Sequence, residues 1–320
     1  VPADEATAAL APGRDARLTL YTSHKQAVYG PIVKEFQEET GIWVEVITGG
    51  TNELLERIAA EAEQPVCDVM FGGGVESLCA YESCFEPYAC AGADRLREGL
   101  RPEGDAWTPF SSLPLVFIYN PKLVEPDQLT GWADLIDPRW KGKIAFADPT
   151  VSGSSYTAAL TLLSCLPGDD WELLEQFAAN LDGDILADSG DVVGAVANGS
   201  RYLGVTLEET ALKGLGQGAE IAVFLPAEGT SAVPDGSALV AGAPHAENAK
   251  AFLEFVQSRD VQELVVSQFS RRSVRTDVHD PDSLPPVEEL DVIDYDVHWA
   301  AGLKEEFTAR WLALCGEERA

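Results

Sequence analysis

Residues 17–74 read RLTLYTSHKQAVYGPIVKEFQEETGIWVEVITGGTNELLERIAAEAEQPVCDVMFGGG. Three segments in this run have strand character: 17–22 (RLTLYT) and 42–48 (IWVEVIT) alternate with period two, and 67–71 (CDVMF) is short and apolar. Helical spacing fills the gaps. Val28, Ile32, Val33 and Phe36 share one face, and Leu54, Leu55, Ile58, Ala59 and Ala62 share the next. The S-x-x-Q spacing of Ser23 and Gln26 predicts a capping box and a helix starting at Ser23. Pro31 predicts a bend, and Gly41 the C-terminal stop. Strand and helix in strict alternation imply a parallel sheet covered by helices. Ligands of such sheets sit beyond the carboxyl ends of the strands. Three turns fall on that edge: Thr22-Ser23-His24-Lys25, Gly49-Gly50-Thr51 and Gly72-Gly73-Gly74. Glycine admits a ligand to the backbone, and a helix start offers N–H groups and the positive end of its dipole. The three turns together predict a binding rim; ordinary strand-to-helix loops are the plainer alternative.

Downstream, Leu113–Asn120 is an apolar strand, near which the chain is expected to cross into a second body. A strand at 143–147 precedes Val151-Ser152-Gly153-Ser154-Ser155-Tyr156, so a helix from about Ser154 to Leu166 starts on serine and glycine. Further segments are a helix (Trp171–Leu181), a strand (Asp184–Ala187), a helix (Asp191–Asn198), strands at 202–206, 220–225 and 237–241, one amphipathic helix over 244–269, and a closing helix (Ala300–Leu314). No internal repeat is visible.

The chain has 320 residues, 46% of them hydrophobic, which suits two lobes. Its net charge is −31, which argues against nucleic acid or an anionic membrane as partner. An anionic ligand would have to be held locally, by backbone N–H groups and a few cations. The sequence starts at Val1 with Met70 its sole methionine, and residues 1–16 are rich in Ala, Pro, Asp and Glu. This reads as a flexible tether left after removal of a leader. Cys67, Cys79, Cys84, Cys90, Cys165 and Cys315 form no CxxC pair and have no His cluster, which argues against zinc. An even count in an exported protein points to disulfides, Cys84–Cys90 first and Cys165–Cys315 second; buried thiols are the alternative.

Residues 132–156, WADLIDPRWKGKIAFADPTVSGSSY, resemble a signature of bacterial ABC-transporter solute-binding proteins. The group is the one containing ferric-ion, phosphosugar and phosphonate receptors. LTLYTSHKQ with EFQEETGIWVEV, CDVMFGGG, VFLPAEGTSAVPDGSALVAGAPHAENAKAFLEFVQS and SRRSVRTDV agree in the same order, so the resemblance covers almost all of residues 17–277. It implies an α/β, type II periplasmic-binding-protein-like fold, with two lobes, a central cleft and hinge strands. The implied lobes are 17–112 plus 235–275 and 113–234 plus 276–320. It also implies lobe closure, delivery to an ABC permease, and an extracytoplasmic location, free in the periplasm or lipid-anchored on the outer face of the cytoplasmic membrane. A monomer is expected, with no cofactor and no catalytic residue.

Ferric receptors of this group usually hold iron through neighbouring tyrosines, with a His and a carboxylate. His24 matches the His position. Where the tyrosines should fall, the chain has Thr206-Leu207-Glu208-Glu209-Thr210, and Gly73 or Gly74 stands in place of the carboxylate. The expected ligand is therefore an organophosphate, a sugar phosphate or aminoalkylphosphonate, with ferric iron as the alternative. The candidate donors are Ser23, His24, Lys25, Gly50, Thr51, Gly72, Gly73, Gly74, Ser152, Gly153, Ser154 and Ser155. The candidate acceptors for hydroxyls or an ammonium are Thr206, Glu209 and, foremost, Glu228. Glu208, alternating with Glu209, is expected to face solvent, and His245 to be structural. Arg271, Arg272 and Arg275 form a basic patch that either bridges the lobes or assists the anion. A phosphate-processing enzyme is a further alternative, but GxxxxGK[ST], GxSxG and HExxH are all absent.

Overall fold

The computed structural model describes residues 13–100, 104, 106–280, 284 and 290–315. Most of the expected N-terminal tether lies outside these residues.

The opening run folds as its periodicity implies: β1 (Arg17–Thr22), α1 (Gln26–Thr40), β2 (Trp43–Thr48), α2 (Thr51–Ala60) and β3 (Val69–Gly74). β1 pairs in parallel with β2 on one side and β3 on the other. There follow α3 (Val75–Ala80), β4 (Phe85–Glu86), β5 (Thr108–Ser112), β6 (Leu115–Tyr119), β7 (Ile144–Ala145), α4 (Gly153–Cys165), α5 (Asp170–Leu181) and α6 (Asp191–Ala197). The chain ends with β8 (Leu203–Leu207), α7 (Glu208–Gly216), β9 (Ala222–Phe224), β10 (Pro234–Val240), α8 (Ala246–Val256), α9 (Arg259–Phe269), β11 (Arg272–Ser273) and α10 (Val297–Cys315).

These strands form two sheets. One runs β11-β5-β10-β3-β1-β2, with β4 also on β10; the other runs β7-β8-β6-β9. The chain crosses from the first to the second between Ser112 and Leu115, and returns between Phe224 and Pro234. Each sheet has its own core. Phe36, Phe71, Phe110 and Phe252 pack in the first, with Phe71 and Phe110 edge to face at 4.9 Å. Phe117, Trp132, Phe146, Phe177 and Trp311 pack in the second. α10 touches both bodies: Phe307 and Trp311 enter the second core, while Lys304 Nζ reaches Ser77 Oγ of α3 at 2.7 Å.

Several expectations need correction. α1 starts at Gln26, not Ser23, because Lys25 is its N-cap and the Ser23 side chain makes no cap bond. Pro31 lies inside an uninterrupted α1, which does stop at Gly41 in the left-handed region (φ 70°). The amphipathic stretch 244–269 is two helices, because Ser258 caps α9 through Val261 N at 3.3 Å. Residues 184–187 form only a bridge, Ala147 with Leu186. The cysteines are thiols, so the Cys84–Cys90 and Cys165–Cys315 bridges are not formed. Cys90 Sγ instead sits 3.7 Å from Thr108 Oγ1, and Cys165 Sγ donates to Gly229 O at 3.8 Å. Among the described residues no helix is long and apolar enough to cross a membrane.

Candidate functional site

The carboxyl ends of β1, β2 and β3 face the first turn of α4 across a cleft of about 400 Å³. From the first lobe, Ser23, His24 and Lys25 after β1, Gly50 and Thr51 after β2, and Gly73 and Gly74 at the end of β3 line it. Ser152, Gly153, Ser154 and Asp188 line it from the second lobe, with Asp235 and Arg271 at the back. Three helices of ten residues or more, α1, α2 and α4, therefore begin on this space. The first N–H groups of a helix have no intrahelical acceptor, so these starts are donors.

Local chemistry explains the shape of the rim. Gly73 has φ +96°, and a Cβ there would stand 2.6 Å from Thr51 Cγ2, so only glycine lets β3 approach the start of α2. Gly72 (φ +102°) lies behind the lining, where a Cβ would meet His24 Nε2 at 2.9 Å. Ser152 Oγ accepts from Ser155 N at 3.3 Å and lies 3.2 Å from Ser154 Oγ. Ser155 is consumed in that cap and is buried.

At the back, Asp235 Oδ1 accepts from Ser111 N (2.8 Å) and Ser111 Oγ (2.6 Å), and Asp235 Oδ2 accepts from Arg271 Nη1 (2.8 Å). Burial pushes the Asp235 carboxyl up against the pull of Arg271. His24 Nε2 is 3.4 Å from Asp235 Oδ2, and its ring packs against Phe71 at 4.6 Å and Phe110 at 5.5 Å. Burial first, then the charges of Arg271 and Lys213, hold the His24 pKa well below its usual value, so the imidazole is neutral. Lys25 is 78% exposed and stands 3.9 Å from Asp188 Oδ1 across the cleft mouth. A second contact between the lobes, outside the cleft lining, runs from Asn52 Nδ2 to Thr150 O at 3.1 Å.

The expected acceptors lie elsewhere. Thr206 is buried in β8, paired with Val116 of β6. Glu209 is held by Lys213 at 2.6 Å and stands 3.7 Å from Arg271 Nη2. Glu228 accepts from Ala133 N at 3.1 Å and tucks under Gly131, where a Cβ would be 2.0 Å from its Oε2. Glu208 does not face solvent: it is buried and forms a two-pronged pair with Arg272, Oε2 to Nε at 2.8 Å and Oε1 to Nη2 at 3.0 Å. Because β11 belongs to the first sheet and α7 to the second body, this pair clamps the lobes together. Arg275 is occupied by Asp277 and Gln257 O. His245 bonds Asp68 through its ring at 2.9 Å and its backbone N–H at 2.7 Å.

Asp188 belongs to no motif. Asp235 lies within the run 223–258 that carries the resemblance, and its signal there is the one acid in the strand PDGSALV. Among the described residues, no group of three or more His, Cys, Asp or Glu side chains could hold a metal ion.

Residues 66–298 match the family profile of the bacterial extracellular solute-binding proteins. Iron uptake protein A1 of Synechocystis sp. is 29% identical over 271 residues, 78% of this chain and 74% of that protein. A protein of Salmonella typhimurium named for 2-aminoethylphosphonate binding is 26% identical over 257 residues, 76% of this chain and 73% of that one. The periplasmic binding protein AfuA of Actinobacillus pleuropneumoniae, solved with fructose-6-phosphate, superposes with a TM-score of 0.84 at 23% identity, covering 94% of this chain and 98% of its own.

Proposed function

This chain belongs to the bacterial extracellular solute-binding proteins, with the type II periplasmic-binding-protein fold, and on that premise we propose that its cleft captures a small organophosphate, a sugar phosphate or an aminoalkylphosphonate, for an ABC permease. One observation carries the reading: α1, α2 and α4, from opposite lobes, all begin on one cleft. Their N–H groups, with the Ser23, Thr51 and Ser154 hydroxyls, form a donor-rich wall of the kind that takes a tetrahedral oxyanion. Local donors of this kind hold an anion despite the net charge of −31, because dipoles act within the first turn while the global field is screened beyond a Debye length. With Glu209 and Glu228 engaged elsewhere, Asp188 is the second-lobe acid that faces the ligand. It suits an ammonium or hydroxyls at the far end.

Ferric iron fits less well. Where phenolates would stand, Glu208 is paired with Arg272 and Glu209 with Lys213. The ligand is carried unchanged, without catalysis. The test is titration calorimetry and thermal shift with fructose 6-phosphate, 2-aminoethylphosphonate, inorganic phosphate and Fe(III), followed by analysis of the recovered ligand. Saturable binding of an organophosphate that is recovered intact supports the reading. A charge-transfer band with Fe(III) and silence from the organophosphates contradicts it, as does turnover.

A further inference from the structure

Below the cleft floor lies a group that ligand contact does not use. Glu76, the second residue of α3, is fully buried. Its carboxyl is pressed under Gly74 so closely that a Cβ on Gly74 would stand 2.5 Å from Oε2. Oε1 makes a short hydrogen bond to Thr157 Oγ1 on α4, in the opposite lobe. Thr157 Oγ1 also lies 3.1 Å from Gly153 O, four residues back in the first turn of α4. A threonine hydroxyl has a single hydrogen, and a carbonyl can only accept. If the hydroxyl donates to Gly153, the proton between Thr157 and Glu76 must come from the carboxyl. Glu76 Oε2 is buried without a hydrogen-bond partner, an arrangement a neutral acid tolerates far better than a carboxylate.

We propose that protonated Glu76 is a positioning residue: it donates to Thr157 across the lobes and locks the first turn of α4 onto the first lobe, so that closure takes up a proton. The proposal rests on the two-lobed receptor reading but not on which ligand is bound. The same turn of α4 supplies Gly153 and Ser154 to the cleft, and Thr157 itself lines it, so Glu76 acts on ligand through Thr157 without lining the cleft itself.

Burial is the largest influence on Glu76 and raises its pKa; it outweighs the Thr157 hydroxyl, which lowers the pKa only when it is the donor, and the weaker pulls of the Glu76 backbone N–H and Lys304. Lys304 of α10 is itself pushed down to about 8 by burial, and its Nζ bonds Ser77 Oγ. Tyr156 of α4 donates to Ala300 O at 2.5 Å, and burial raises both Tyr156 and Tyr295. Glu56 of α2 acts on Lys304, and Asp235 of β10, opposite Gly74, is held by Arg271. With the lobes apart, Glu76 meets water and titrates in the ordinary carboxylate range. Closing keeps its proton to higher pH. Between those two values the closed state weakens about tenfold per pH unit of rise.

The test is small-angle scattering of the full chain without ligand from about pH 5.5 to 8.5, paired with infrared difference spectra of wild type against Glu76→Gln. Wild type should expand as pH rises. Glu76→Gln, whose amide N–H donates to the same Thr157 oxygen without titrating, should stay compact throughout, and Thr157→Val should stay expanded. The infrared difference at neutral pH should show the C=O stretch of a buried carboxylic acid in wild type alone. The proposal is overturned if that band is missing, if the wild-type and Glu76→Gln profiles superimpose, or if Thr157→Val closes like wild type. A Glu76→Gln chain that is open at every pH would show that Glu76 accepts rather than donates, and would also overturn it.

Discussion

Replacing Glu208 by glutamine tests the inter-lobe clamp. Arg272 is 1% exposed and gives Glu208 two bonds, at 2.8 and 3.0 Å; Asp280 stands 3.3 Å from its Nη1. Glu208→Gln keeps the shape and removes the charge, so the guanidinium loses the charge of its two-pronged partner. Breaking a buried pair from one side costs about 3–5 kcal/mol, and the remaining Asp280 moves the expectation to the lower end, about 3 kcal/mol. Unfolding entropy of roughly 2.1 cal/mol/K per residue, over 320 residues, makes each kcal/mol worth about 1.5 °C. Calorimetry should therefore show melting about 4–5 °C lower. Lys25→Met is the control. It breaks the Lys25–Asp188 pair, whose side chains are 78% and 63% exposed, and such pairs contribute at most about 1 kcal/mol. A Glu208→Gln melt within about 1 °C of wild type would refute the claim that this pair joins the lobes.

Three further outcomes are expected. Gly73→Ala places a side chain at φ +96° and 2.6 Å from Thr51 Cγ2; organophosphate affinity by calorimetry should fall about 5- to 150-fold with far-UV dichroism unchanged, a loss of about 1–3 kcal/mol, and an unchanged affinity would count against the rim. The His24 pKa is lowered in the folded state by burial, whereas the unfolded chain titrates near its ordinary value, about 6.5. Its contribution is thus present above that value and lost as pH falls below it, so His24→Gln should flatten the acid limb of the melting profile; an unaltered limb would show that His24 is not buried in its neutral form. Asp188→Asn should weaken 2-aminoethylphosphonate by roughly 2–5-fold and leave inorganic phosphate unaffected. Equal losses for both would mean that Asp188 serves only its own loop, through Gly190 N at 2.6 Å.

Much of the fold was legible because periodicity is local. The alternation in 17–22 and 42–48 and the helical spacing of Val28, Ile32, Val33 and Phe36 survive unchanged as β1, β2 and α1. That the glycine and serine turns line one cleft was legible for the same reason: their position at strand ends follows from the order of elements. Side-chain commitments across the chain were not legible. Glu228 looks like an acceptor in sequence, yet Ala133 N, 95 positions away, claims it. Glu208 looks like a surface acid until Arg272, 64 positions on, is brought beside it by the return of the chain to the first sheet. Ser23 has capping-box spacing, but Lys25 takes the N-cap and frees Ser23 for the cleft. The disulfide expectation failed for a related reason: spacing says nothing of the partner that packing chooses, here Thr108 for Cys90.

The most direct measurement of the central claim is phosphorus NMR of a mixed panel of sugar phosphates and aminoalkylphosphonates titrated with the intact protein. The account predicts that one resonance shifts or broadens and saturates at equimolar protein, the others staying fixed, and that the effect is lost in Gly73→Ala. A panel whose resonances all remain unchanged, while the same protein sample takes up Fe(III) stoichiometrically, would contradict it.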